Sequence, residues 1–368
     1  MMKLCFISAS TSLFILATLG AARTSHGWSR VAIPSCSSHQ SPKVSGQSVG
    51  SLDDSSDTTI MFGGLTGAAG SPCTDQTWEL KVSKTNTLHW KLLEPATIPR
   101  ARMYAASAVL KNKMILFGGW DPGEPGSGGE FLDDIWEFDV ATKEWNLLED
   151  CKLPFPVSRH TACMIPGDSN GNEDAAMIVL HTYQGTLVFR DGKLSEQATT
   201  GDVPDGLSMC AVAPLTNSKM FLAGGSTRTQ QMSGDAYVLD TNTWVWIKLQ
   251  VKSSETETRP PPLASACAAN IQDNSVVVFG GAAIGSTGYE GGMGLIPQDD
   301  TWLLEVLSKS EDNSTTDTAR WTKFESDESP DGRVAASLSP IGQSSFLLQG
   351  GFDPLSKITF DEPWVLDL

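Results

Sequence analysis

Short apolar runs that end in a pair of glycines recur along this chain. Ile60-Met61-Phe62-Gly63-Gly64, Ile115-Leu116-Phe117-Gly118-Gly119, Phe221-Leu222-Ala223-Gly224-Gly225, Val277-Val278-Phe279-Gly280-Gly281 and Leu347-Leu348-Gln349-Gly350-Gly351 share this form. Apolar runs of about 4–8 residues bounded by turn formers read as buried strands. The first glycines fall at 63, 118, 224, 280 and 350. The wide interval after 118 therefore holds two periods of about 53 residues, the spacing of a repeat fold. Ile178-Val179-Leu180-His181-Thr182 fills that gap, with His181 and Thr182 in place of the glycines.

Each run is followed by an acidic and an aromatic residue, as in Asp75 and Trp78, Asp133 and Trp136, Asp235 and Tyr237, Asp299 and Trp302, and Asp361 and Trp364. A second tryptophan comes next: Trp90, Trp145, Trp244 or Trp246, and Trp321. Ahead of the runs lie small-residue stretches, often opened by arginine at Arg102, Arg159 and Arg333. One repeat thus predicts four short strands, a to d, with the glycine pair closing strand b. Glycine is expected there because a side chain would strike the neighbouring unit. Aromatic residues on strands c and d fill the wedge between units, each burying about 150–250 Å².

This pattern resembles the kelch repeat family, and the resemblance covers nearly all of the chain. It implies an all-β, six-bladed β-propeller with four-stranded antiparallel blades. The last repeat ends at Trp364-Val365-Leu366-Asp367-Leu368, one strand short, whereas Trp28-Ser29-Arg30-Val31 has the form of a strand d. The N-terminal strand is therefore expected to complete the last blade and close the ring, leaving no open sheet edges between blades.

Composition changes the picture in two places. The formal net charge of −17 is spread along the chain, which repels phosphate backbones and argues against nucleic acid and anionic membrane surfaces as partners. The first residues read as a signal peptide over 1–22: Lys3, an apolar stretch through Leu13-Phe14-Ile15-Leu16, then Gly20, Ala21 and Ala22. The propeller is then one domain over 23–368, with no membrane attachment after cleavage. Asn313-Ser314-Thr315 is an N-glycosylation acceptor. Together these predict a secreted or lumenal protein. A cytoplasmic scaffold and a plastid protein with a bipartite signal are the alternatives.

Strands alternate in direction, so the b–c and d–a connections share one face, where a binding site is expected. Trp120, outside the packing positions, is the leading contact candidate, with Tyr183, Arg228, Tyr289 and Phe352. Cys163, Cys210 and Cys267 read as small fillers at equivalent places in strand a. Cys36, Cys73 and Cys151 map to loops on one face, with Cys36 and Cys73 as the candidate disulfide. Some relatives in the resembled group hold copper or iron, making a metal-dependent oxidase or lyase the rival function. The chain's five histidines form no short metal-ligand pair, and no nucleophile elbow or phosphate loop occurs. The expectation is a monomeric, non-catalytic module without a cofactor, binding an unidentified protein or glycan.

Overall fold

The computed structural model describes residues 26–31, 41–52, 58–67, 71–83, 87–110, 112–124, 127–165, 176–181, 185–204, 206–216, 218–227, 229–251, 259–272, 274–285, 294–307, 317–342 and 344–368. Among them every regular element is a strand, and the main strands form six sheets arranged as propeller blades. Blade 1 runs Ser48–Ser51, Thr58–Phe62, Thr77–Val82 and Leu88–Leu93 from the inner strand a to the outer strand d. Blade 2 follows with Ala106–Leu110, Lys113–Asp121, Glu130–Asp139 and Glu144–Lys152, and blade 3 with Thr161–Ile165, Ala176–His181, Gly185–Arg190 and Lys193–Gln197. Blade 4 comprises Ala211–Leu215, Lys219–Ala223, Ala236–Asp240 and Val245–Lys248; blade 5 comprises Cys267–Gln272, Ser275–Phe279, Thr301–Leu307 and Thr318–Phe324.

Blade 6 closes the ring. Ser337–Pro340, Ser345–Gln349 and Trp364–Asp367 are joined by Gly27–Arg30, which pairs antiparallel with Trp364–Asp367. Trp28 plugs the seam between blades 5 and 6, its indole N–H donating to Thr301 Oγ1 at 2.7 Å. Two blades exceed the expected four strands. Thr200–Gly201 adds a parallel strand outside blade 4, and Gln250–Val251 does so outside blade 5.

Strand b explains why the apolar runs lack alternation. Each is sandwiched between two neighbouring blades, so both of its faces are buried. Ile60 and Phe62 enter the seam toward blade 2, while Met61 enters the seam toward blade 6. The glycine pairs perform a specific task at these seams. The second glycine's N–H donates to a carbonyl at the entrance of the next blade: Gly64 to Arg102, Gly119 to Val157, Gly225 to Leu263, Gly281 to Arg333 and Gly351 to Val44. The first glycine lies against the same carbonyl. A Cβ on Gly63 (φ +70°) would stand 2.6 Å from Arg102 O, so only glycine allows the blades this close. In blade 3 the strand ends at His181, and Thr182 lies outside the described residues.

The seams hold the tryptophans as expected, with Trp28, Trp78, Trp90, Trp136, Trp145, Trp246, Trp302, Trp321 and Trp364 all buried. Trp246 occupies strand d of blade 4, whereas Trp244 forms the preceding turn at φ 57°. The acidic position is offset from the expected one in several blades. The carboxylate that makes the structural contacts lies two residues before the strand-c tryptophan: Asp134, Asp300 and Glu362.

Candidate functional site

One residue per blade leads into strand a in the left-handed backbone region: Gly46, Tyr104, Arg159, Met209, Ser265 and Ala335, at φ between 54° and 66°. Five of these six are not glycine, and such a conformation persists only where the surroundings hold it. Here the holding force is visible. The N–H of Tyr104 donates to Gly46 O, Arg159 to Tyr104 O, Met209 to Arg159 O, Ser265 to Met209 O, Ala335 to Ser265 O and Gly46 to Ala335 O, at 2.8–3.1 Å. The six links form a closed hydrogen-bonded ring around the channel mouth, on the face of the d–a and b–c connections.

The ring side chains lean back onto the preceding blade. The Tyr104 ring lies over Gly46, where an added Cβ would stand 3.2 Å from Tyr104 Cε1. The Arg159 guanidinium lies 5.4 Å from the centre of the Tyr104 ring, a cation–π arrangement. Ser265 Oγ reaches Met209 Sδ at 3.0 Å. Arg159 is exposed and is the only charged side chain of the ring. Among the described residues it has no carboxylate partner.

Arg102 and Arg333 enter two positions before the ring and behave differently. Each follows the preceding strand-d tryptophan, Trp90 or Trp321, by 12 positions, whereas Arg159 follows Trp145 by 14. The Arg102 side chain is fully buried and holds Asp134 in a bidentate pair at 2.5 and 2.9 Å while donating to Gly118 O. Arg333 is equally buried and donates to Asp331 O and Gly350 O, but lies 3.8 Å over Phe360 instead of meeting a carboxylate. Burial pulls its pKa down to about 10, against the opposing pull of Asp331. Its carboxylate counterpart, Glu362, is taken by Arg30 at 3.2 Å.

Around the mouth, the residue after each glycine pair bridges back to its own blade's entrance, pairing Ser45 with Leu65, Met103 with Trp120, Ser208 with Ser226, Ala264 with Ala282 and Val334 with Phe352. Trp120 and Phe352 thus occupy one repeat position, as expected. Trp120, however, packs on its own b–c ribbon: its ring lies 6.4 Å from Phe131, and its Nε1 would be 2.5 Å from a Cβ on Gly129. The ribbon's outward aromatic is Phe131, 52% exposed. Arg100 braces the ribbon by pairing with Asp121 at 2.6 Å and with Glu130. Exposed Ile284 and Ile296 tip the blade-5 ribbon, and Leu355 and Ile358 that of blade 6.

Tyr183, Arg228, Tyr289, Asn313 and Cys36 lie outside the described residues. Cys73 bridges Leu65, and burial with the nearby negative charge of Asp121 pushes its thiol up to about 12. The three strand-a cysteines are not equivalent after all. Counted from the ring, Cys210 follows Met209 directly, Cys267 follows Ser265 by two and Cys163 follows Arg159 by four. Burial raises each thiol to about 12, leaving neutral packing groups. Cys151 belongs to strand d of blade 2 and packs in a seam, not in a loop. No three His, Cys, Asp or Glu side chains among the described residues converge as metal ligands.

The sequence reading placed Arg159 among the strand-a openers and passed over Tyr104 and Phe131. The two-residue difference in spacing from the strand-d tryptophan was the available signal for Arg159.

A family model for the KLHDC2/KLHL20/DRC7 kelch-repeats domain matches residues 22–184 and 167–368. An F-box/kelch-repeat protein of Arabidopsis thaliana is 25% identical over 339 residues, 86% of this chain and 54% of its own length. Kelch domain-containing protein 2 of Bos taurus is 27% identical over 55% of this chain and 53% of its own length. This chain spans about half the length of these relatives. The solved structure of YjhT aligns with TM-score 0.59 over 88% of this chain and 95% of that one, at 18% identity, a likeness of fold.

Proposed function

Because this chain belongs to the kelch-repeat family, we propose that it is a secreted or lumenal interaction module gripping a protein or glycan with the face around the channel mouth. The observation that carries this reading is the pairing of one exposed guanidinium, Arg159 on Tyr104, which has no carboxylate partner among the described residues, with apolar side chains on the surrounding ribbons. An apolar rim supplies area, and a central cation supplies orientation and charge selectivity. The ring backbone and the Arg100 brace hold these groups in place before binding, which lowers the ordering cost.

Recovery of cross-linked partners from native cells tests the site. Arg159→Glu combined with Phe131→Ala is expected to remove most partners that the parent protein captures. Unchanged capture by that variant would overturn the assignment. The compartment rests on the signal-like residues 1–22 and on Asn313. Peptide mapping of the native protein is expected to find an N-terminus near Arg23 and a glycan on Asn313. A retained Met1 with bare Asn313 would overturn it.

A further inference from the structure

Half of the large apolar side chains exposed among the described residues lie on two neighbouring ribbons of the mouth face, Ile284 and Ile296 on blade 5 and Leu355 and Ile358 on blade 6. Clustered exposure of this kind marks an interaction surface, whereas single exposed residues do not. The connection from strand d of blade 5 to strand a of blade 6 runs between the two ribbons. A Cβ on its Gly332 would stand 2.9 Å from Pro297 O at the foot of the blade-5 ribbon. Its Arg333 lies 3.8 Å over Phe360 at the foot of the blade-6 ribbon.

A second, independent observation concerns the charge around these apolar side chains. Glu325, Asp327, Glu328 and Asp331 of the connection are all exposed, and Asp299 and Asp361 flank it beside the two ribbons. None of these six carboxylates forms an ion pair among the described residues, whereas their neighbours Asp300 and Glu362 are held by Lys323 at 2.7 Å and Arg30 at 3.2 Å. The charges share one space. The hydrogen bond to Asp300 raises the Lys323 pKa against the effect of burial, and the charges of Asp300, Glu325 and Asp299 add to the rise. Lys357 is the one cation in the sequence of either ribbon. Arg159 belongs to blade 3, across the channel from blade 6, so the cation of the mouth and this acidic sector stand on opposite sides.

We propose that blades 5 and 6 dock a basic amphipathic segment of a partner protein. Its apolar side chains lie on the exposed residues of the two ribbons, and its lysines or arginines meet the carboxylates between them. This rests on reading the mouth face as an interaction surface and gives that surface its partner's chemistry. Charge complementarity selects the occupant. An acidic segment, or a second copy of this chain presenting the same face, would bring like charges together, which costs affinity. The apolar contacts supply area that salt does not weaken, and the carboxylates supply attraction that salt screens.

A short lysine–leucine amphipathic peptide is the probe and its glutamate–leucine counterpart the control, both labelled and titrated with the full chain by fluorescence anisotropy. The first is expected to bind saturably, more weakly as salt rises from about 0.05 to about 0.5 M, and the second not to bind. Glu325→Gln, Asp327→Asn and Glu328→Gln together should weaken the lysine–leucine peptide about tenfold. Glu149→Gln, Asp150→Asn and Glu196→Gln, on the outer strands of blades 2 and 3, change the net charge equally and should cost less than about twofold. Ile296→Ser with Ile358→Ser should weaken binding about tenfold at either salt concentration. Equal losses in the two charge variants would overturn the proposal. So would equal binding of the two peptides, which assigns the face to apolar contact alone, or self-association of the parent that the isoleucine variant abolishes, which assigns it to a second copy. If Arg159→Glu with Phe131→Ala removes native capture while the lysine–leucine peptide fails to bind the parent, this proposal falls and the mouth reading stands.

Discussion

Asp134→Ala is the perturbation whose outcome the structure specifies best. The Arg102 guanidinium it would orphan has no exposure of its own, and Asp134 is 24% exposed. Asp134 also accepts from Trp136 Nε1 at 2.7 Å. Stripping one partner from a buried pair costs about 3–5 kcal/mol. The partial exposure of the carboxylate and the carbonyls that Arg102 retains reduce this to about 2–4 kcal/mol. Burial raises the Asp134 pKa, but the hydrogen bond and charge of Arg102 outweigh it, and the net shift is downward. A carboxyl with a depressed folded pKa contributes stability above the ordinary carboxylate range of about 4, and loses it as pH falls through the folded value. Urea unfolding at pH 7 should therefore show a lower midpoint for the variant at similar slope, and the gap from the parent should narrow toward pH 3. Arg333→Met is the internal control. It removes a buried cation that has no carboxylate partner among the described residues, so whatever it costs through the lost bonds to Asp331 O and Gly350 O should be the same at pH 7 and pH 3. A cost below about 0.5 kcal/mol for Asp134→Ala, or a pH-independent gap, would refute the reasoning.

Glu79, buried on strand c of blade 1, is bound by Lys143 from the next blade and by Lys81. These cations outweigh burial and lower its pKa, so Glu79→Gln should cost stability at pH 7 but little near pH 3, read from thermal midpoints at both. Gly63→Ala should destabilise by about 2–4 kcal/mol in urea titration, because it combines a strained φ with a backbone clash. With pKa values near 12, Cys163, Cys210 and Cys267 should resist iodoacetamide at pH 8 until the protein is unfolded, as peptide mapping after labelling would reveal. Trp90 Nε1 lacks an acceptor because Pro363 stands where blades 1 and 5 have threonine. Pro363→Thr should gain up to about 1 kcal/mol. Trp246 Nε1, unpaired beside a blade that does carry Thr186, shows that the hydroxyl alone is not sufficient.

The propeller was legible because the glycine pairs answer to a contact that five blades repeat, the approach of one strand end to the next blade's carbonyl. Even the worn third repeat kept its apolar run, since Ile178, Val179 and Leu180 still had to form strand b. Ring closure followed from a missing strand d and a spare one at Trp28. The site was harder to read. A shift of two residues decides whether an arginine is buried against Asp134 or exposed on Tyr104, and composition looks the same in both cases. Likewise Trp120 and Phe131 differ by which face of a ribbon they take, which depends on the register between strands and not on either residue. The two added parallel strands have almost no apolar signature, because Thr200–Gly201 carries no apolar side chain and Gln250–Val251 only one, Val251, which packs against the seam of blades 4 and 5.

The closed ring at the channel mouth has an electrostatic consequence. A helix stacks its peptide dipoles, each about 3.5 D, end to end, and so presents a fractional charge at its tip that attracts ions regardless of side chains. The six peptide links here run head to tail around a circle, from Gly46 through Ala335 and back. Vectors arranged tangentially around a closed loop nearly cancel, and every ring N–H is already spent on a neighbour. The backbone thus imposes almost no field along the axis, and the charge of the ring is left to its side chains. Arg159→Glu reverses that charge without disturbing the scaffold that carries it.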